Sequence, residues 1–120
     1  MKPVLVAIAG AAGALARYGI GVRFGGRSFP WATLGINLTG SLLLGFLMKF
    51  SLDRGWTDTT TVPLAIGFIG AYTTFSTFSY ETFNLARNDR SGLAAAYVIA
   101  SVVGGVLAAV IGYVTARRIA

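Results

Sequence analysis

The sequence has no cysteine and no histidine. The first absence excludes disulfides, thiol catalysis and cysteine–metal sites. The second removes the commonest general base and the commonest metal ligand. Carboxylates are scarce as well: Asp53, Asp58, Glu81 and Asp89 are all there are. They form no catalytic pair, and no nucleophile stands beside a base, so no enzyme and no catalytic residue is expected. Charged residues of every kind fill only 12% of the 120 positions, about half the share usual in a soluble domain. What is present instead is apolar, at 55%. The net charge is +6, from ten Lys/Arg against four Asp/Glu. In a soluble chain this surplus would suggest nucleic acid. Here the basic residues stand apart at the ends of apolar runs, as membrane-end anchors do, and no nucleic-acid partner is expected.

A membrane helix needs roughly 20 mostly apolar residues. Four segments qualify, at about 4–22, 30–50, 62–86 and 92–115. The first, with Lys2 ahead of an apolar run and small residues, also has the form of a signal peptide cleaved near Ala11 or Ala14. Its run continues to Ala16 and three similar segments follow, so it reads as the first span. Pro3, Pro30 and Pro63 are placed where spans begin, a position that tolerates a missing N–H. The connectors "RFGGRS", "SLDRGWTDTTT" and "RNDRS" are short and polar, and Trp31 and Trp56 fall near the interfaces. The expectation is therefore an all-α membrane protein, one four-span domain over 1–120, lying in a lipid bilayer. In the fourth span Ala100, Gly104, Ala108 and Gly112 recur every four residues, with Ser101, Gly105 and Ala109 as a second ladder. Small residues at this spacing let membrane helices approach closely. Four short helices make a thin bundle, so a dimer is expected.

Polar groups inside spans are costly and face protein or a water-filled path. Thr33, Asn37 and Ser41 share one face of the second span, either as glue between helices or as lining. The third span is apolar to Ile69, and then "GAYTTFSTFS" begins at Gly70. Glycine favours a break, and Thr and Ser can bond freed carbonyls. Position 74 is the midpoint of 62–86, so a break there lies near the bilayer centre, where irregular backbone survives only inside protein or beside a cavity. Exposed carbonyls at that depth suit a cation. A continuous helix with back-bonded hydroxyls stays open at this point. Phe75 and Phe78 share a face; they either fill core or turn their positive ring edges to an anion. Glu81 lies on the same side near the end of the span, placed to pair with Arg17 or to line a vestibule.

Together these stretches resemble a known family. "GAYTTFSTFSYE", Gly70 to Glu81, resembles the signature of the Fluc (CrcB) fluoride channels. "WATLGINLTG", Trp31 to Gly40, is similar to the family's second-span motif, "ARYGIG" to the basic motif ending the first span, and "AAAYVIAS" to the fourth-span motif. The resemblance covers essentially the whole chain. It implies an antiparallel dual-topology homodimer with two fluoride pores, a third helix broken near mid-membrane, and passive fluoride efflux across a bacterial-type inner (plasma) membrane. It implies Phe75 and Phe78 meeting fluoride edge-on, with Asn37, Tyr97, Thr33 and Ser101 in the pore and Ser76, Thr77, Ser79 and Glu81 on a polar track. Arg17 takes a structural or electrostatic role. It further implies a structural Na+ at the dimer centre, held by the backbone carbonyls of Gly70 and Thr73. A fourth-span serine is expected where this chain has Gly105, which thins the polar path.

Two rival classes fit the size. A small multidrug exporter exchanging cations for protons wants a membrane-embedded acid in its first span, and residues 4–16 contain none. A non-transporting membrane subunit would use the same polar residues as glue only. Orientation is set by the Lys/Arg bias of short loops. Four spans put Lys2, Lys49, Arg54, Arg117 and Arg118 on one side and Arg17, Arg23, Arg27, Arg87 and Arg90 on the other, five against five. That balance predicts insertion both ways.

Overall fold

The computed structural model describes residues 2–119. Helix α1 spans Lys2–Phe24 and α2 spans Trp31–Arg54. A series of shorter pieces follows: α3 (Asp58–Val62), a π-helical stretch (Pro63–Ile69), α4 (Gly70–Tyr72) and α5 (Phe75–Arg87). Helix α6, Ser91–Ile119, closes the chain. Four stretches are long and apolar enough to cross a membrane: Lys2–Phe24, Trp31–Arg54, Asp58–Arg87 and Ser91–Ile119. Each runs a few residues past the apolar segment read from the sequence, because a helix does not stop where its hydrophobic stripe does. Basic residues occupy the last turns of α1, α2, α5 and α6, where a cation complements the helix dipole. The molecule measures 50 × 31 × 20 Å, and its long axis suits a bilayer of about 40–45 Å with headgroups.

Packing follows the small residues. In water-free surroundings helices are held by close contact rather than by hydrophobic expulsion. A Cβ at Gly112 would run into the Leu42 carbonyl, and one at Gly45 into the Ala109 carbonyl. Gly104 lies under Leu38, and Gly105 faces Ser41. Both small-residue ladders of α6 are thus turned to α2. On the other side Gly13 of α1 meets the Phe68 carbonyl, and Gly67 meets the backbone of Val6. The first half of the third span therefore lies on α1, while its second half, α5, lies on α6. The core between them is Leu34, Leu85, Ala94 and Tyr97, joined by Phe29, Leu38, Phe78 and Ala100.

Two details differ from the sequence reading. Pro63 does not open the third helical stretch but sits five residues after Asp58, at the first position of the π-helical segment. Proline has no N–H for the bond to the fourth residue before it, and the hydrogen-bond register widens from there. Gly70 is helical, at φ −61° and ψ −37°. The departure comes later, at Thr73 (φ −81°, ψ 157°) and Thr74 (φ −149°, ψ 118°), both extended. Threonine is β-branched and suits extended backbone, whereas glycine's freedom is not needed at position 70.

Candidate functional site

The two extended residues set free backbone groups that a helix would have paired, and buried groups of that kind need partners. Asn37 on α2 supplies two of them. Its Nδ2 donates to the Thr74 carbonyl at 3.0 Å, and its Oδ1 accepts from the Thr74 N–H at 2.9 Å. The amide pairs with one residue's backbone as a neighbouring strand would. Thr74 then caps α5: its Oγ1 accepts from the Thr77 N–H at 3.2 Å and donates to Thr77 Oγ1 at 3.0 Å. Arg17 on α1 donates from Nε to the Ala71 carbonyl at 3.1 Å. Gly40 completes the fit, because a Cβ there would collide with the Thr73 methyl. Asn37, Arg17 and Gly40 come from two different helices and meet within a few residues of the interruption.

Two cavities flank it, and Thr74 lines both. The first holds about 290 Å³ and is walled by Asn37, Ser41, Thr73, Thr74, Phe75, Phe78 and Ser101, with Gly40, Leu44, Ile69 and Val102. It contains no charged side chain. The Phe75 and Phe78 ring centroids are 5.7 Å apart. Phe78 packs edge-on against Tyr97 at 5.1 Å, while Phe75 is 79% exposed in the protomer. The second cavity holds about 480 Å³ and includes Arg17, Thr33, Thr77 and Glu81.

Glu81 is tied down by hydroxyls. Thr33 Oγ1 donates to Oε2 at 3.1 Å and the Tyr97 hydroxyl to Oε1 at 2.9 Å. The pairing of Glu81 with Arg17, one of two roles expected for that acid, does not form: the arginine is spent on the Ala71 carbonyl, and Lys49–Asp53 at 2.8 Å is the ion pair among the described residues. Glu81 and Arg17 line the same cavity without pairing.

The structure thus brings Asn37, Phe75, Phe78 and Ser101 into one cavity and Arg17, Thr33, Thr77 and Glu81 into its neighbour. Tyr97 lines neither; it is fully buried and reaches the site through its hydroxyl on Glu81 and its ring against Phe78. Ser79 is on an exposed surface with its proton on the Phe75 carbonyl, and Ser76 lies 3.4 Å from Thr74 Oγ1. Sequence reasoning put position 74 at the middle of the third span but did not name Thr74, which lines both cavities, as a site residue. Its signal was there: a threonine ahead of "FST" is an N-cap with a partner three residues on.

The family profile described as CrcB-like protein, Camphor Resistance (CrcB), matches residues 4–113. Among curated relatives, the fluoride-specific ion channel FluC of Geobacter metallireducens is 44% identical over 125 residues, covering 97% of each chain. That of Acidobacterium capsulatum is 46% identical over 125 residues, covering 99% of this chain and 98% of the relative. The FluC of Nitrobacter winogradskyi is 46% identical over 118 residues, with 95% and 94% covered.

Proposed function

The chain belongs to the CrcB-like family, and from that membership we propose that it is a fluoride-selective channel, crossing the bacterial plasma membrane four times and letting fluoride leave passively. No bond is made or broken; the role is conduction, not catalysis. The observation that carries the reading is the uncharged cavity beside Thr74, where an amide and four hydroxyl residues stand with two phenyl rings. Fluoride is small and tightly hydrated. To cross, it must exchange water for donors of comparable strength. Hydroxyls, an amide and the positive edges of rings are donors without a full positive charge. An arginine in the same place would hold the ion too firmly, and conduction needs sites weak enough to leave. Arg17 instead lines the adjoining cavity and has its Nε bonded to a carbonyl, which suits attraction of an anion rather than its capture.

The finer parts of the reading are proposals of the same kind. The interruption at Thr73–Thr74 lies near the midpoint of the third span and acts as a break at mid-membrane. The protein works as an antiparallel homodimer, each copy bringing one cavity, so that two pores run side by side. The exposed ring of Phe75 then meets the partner copy. A structural sodium sits between the copies on the carbonyls of Gly70 and Thr73, and the residues present fit it. In an unbroken helix the Thr74 and Thr77 N–H groups would bond those two carbonyls; here they go to Asn37 Oδ1 and Thr74 Oγ1. Free carbonyl oxygens suit a hard cation in a helix break. Such ions take about six or more oxygens, more than one chain offers here, which favours sharing by two copies.

The test is efflux from liposomes holding the purified protein. Fluoride-loaded vesicles should empty without a proton gradient, and chloride-loaded ones should release far less. Retention of fluoride overturns the reading and leaves a structural subunit, while release that needs a proton gradient points to the exporter.

A further inference from the structure

Hydroxyls inside a helix usually spend their proton on a carbonyl three or four residues back. This chain follows that habit at Thr39, Ser51, Thr73, Ser79, Thr82 and Thr115, with donor–acceptor distances of 2.7–3.1 Å. Two serines beyond the first turn of their helices break it. Ser101 on α6 is half-buried, and its Oγ is shut off from the surface with no hydrogen-bond partner. Ser41 on α2 donates to no carbonyl among the described residues. Both line the same 290 Å³ cavity. An unpaired buried hydroxyl costs free energy unless something in the cavity takes its proton. The helices bring the two together through Gly105, which follows Ser101 by one turn and whose added Cβ would lie 3.7 Å from Ser41 Oγ.

We propose that Ser41 and Ser101 form an anion-binding station in this cavity, with Ser41 donating directly to the ion. The inference rests on the channel reading above and adds a residue and a subsite to it. Ser41 is one helical turn beyond Asn37 on the same face of α2. An ion held by the Asn37 amide and the phenyl rings therefore has a second donor pair next to it. Two adjacent weak stations let one ion displace another, which is how tight binding is reconciled with throughput. The absence of a charged side chain from the cavity leaves these hydroxyl protons as the attraction that a small, hard, dehydrated anion finds there.

The test compares fluoride efflux of the wild type, Ser41→Ala, and the double variant Ser41→Ala/Gly105→Ser in liposomes, with dimer content measured for each. Alanine favours a helix, so Ser41→Ala should fold and assemble as the wild type does. Its flux should fall about tenfold or more, the effect of losing one hydrogen bond to a charged group. A serine at position 105 carries its hydroxyl on a Cβ that would lie 3.7 Å from the lost oxygen, and flux should recover at least in part. A purely packing role for Ser41 predicts no recovery. Wild-type efflux with Ser41→Ala within twofold of it overturns the station and leaves the channel reading standing. No efflux from the wild type overturns both.

Discussion

At the scale of single residues, Phe75 and Phe78 separate packing from function. Phe78 is wedged against Tyr97 and belongs to the edge of the core, whereas Phe75 is 79% exposed in the protomer. Replacing Phe78 by leucine removes ring volume from a packed place and should cost up to about 1.5 kcal/mol. At Phe75 the same change should leave the protomer's stability nearly untouched. If ring edges serve the ion, both variants lose flux, by about tenfold or more for an interaction worth about 1.4 kcal/mol. A flux loss in Phe75→Leu with unchanged thermal stability has no explanation in core packing. Full flux in both leucine variants would remove the rings from the path. The sequence left Phe75 and Phe78 undecided between core and anion because three-residue spacing gives the shared face but not what that face meets.

At the scale of elements, the third span is where local signals and outcome diverge. The hydroxyl-rich run was legible as polar backbone chemistry, and the interruption falls inside it. Its position was legible only as a range, Gly70 to Thr74, because glycine is permissive and does not compel a break at its own position. The extended residues are threonines, fixed from a distance by Asn37, a partner on another helix. No window of the chain contains that pairing. The π-helical stretch after Pro63 was missed for the same reason that proline looked like a helix start: its missing N–H is tolerated there and also tolerated by a wider register. The two ladders of α6, by contrast, could be read directly, since a glycine in a membrane helix has few uses other than close approach. The sodium proposal is tested on this element. Exchanging sodium for a bulky organic cation should lower the melting temperature of the detergent-purified protein or stop fluoride flux, because carbonyls at a break cannot close around a large ion. If stability and flux are both indifferent to the cation, Gly70 and Thr73 hold no metal.

At the scale of the molecule, the property to explain is orientation. The helices alternate direction with short connectors, so Lys2, the α2–α3 connector and Arg117–Arg118 share one end, and the "RFGGRS" and "RNDRS" connectors share the other. Five basic residues lie toward each end if Arg17, tied to the Ala71 carbonyl inside the span, is counted, and five against four if it is not. The bias that orients most membrane proteins is at most one charge here, too little to favour one insertion strongly over the other. An equal supply of both orientations is what an antiparallel pair requires. In the proposed pair, a twofold axis in the membrane plane would give the two cavities opposite directions. A parallel dimer needs one orientation only and has no use for the balance. Because the chain has no native cysteine, one cysteine placed at Ser91, at the "RNDRS" connector, reports orientation cleanly. In intact cells an impermeant thiol reagent should label about half of the molecules, as an even split demands. Adding one or two lysines to that same connector should move the labelled fraction sharply toward one extreme and reduce fluoride flux as the antiparallel pairs are depleted. Labelling of nearly all or nearly none of the unshifted protein would show a single orientation, and the antiparallel dimer would fall with it.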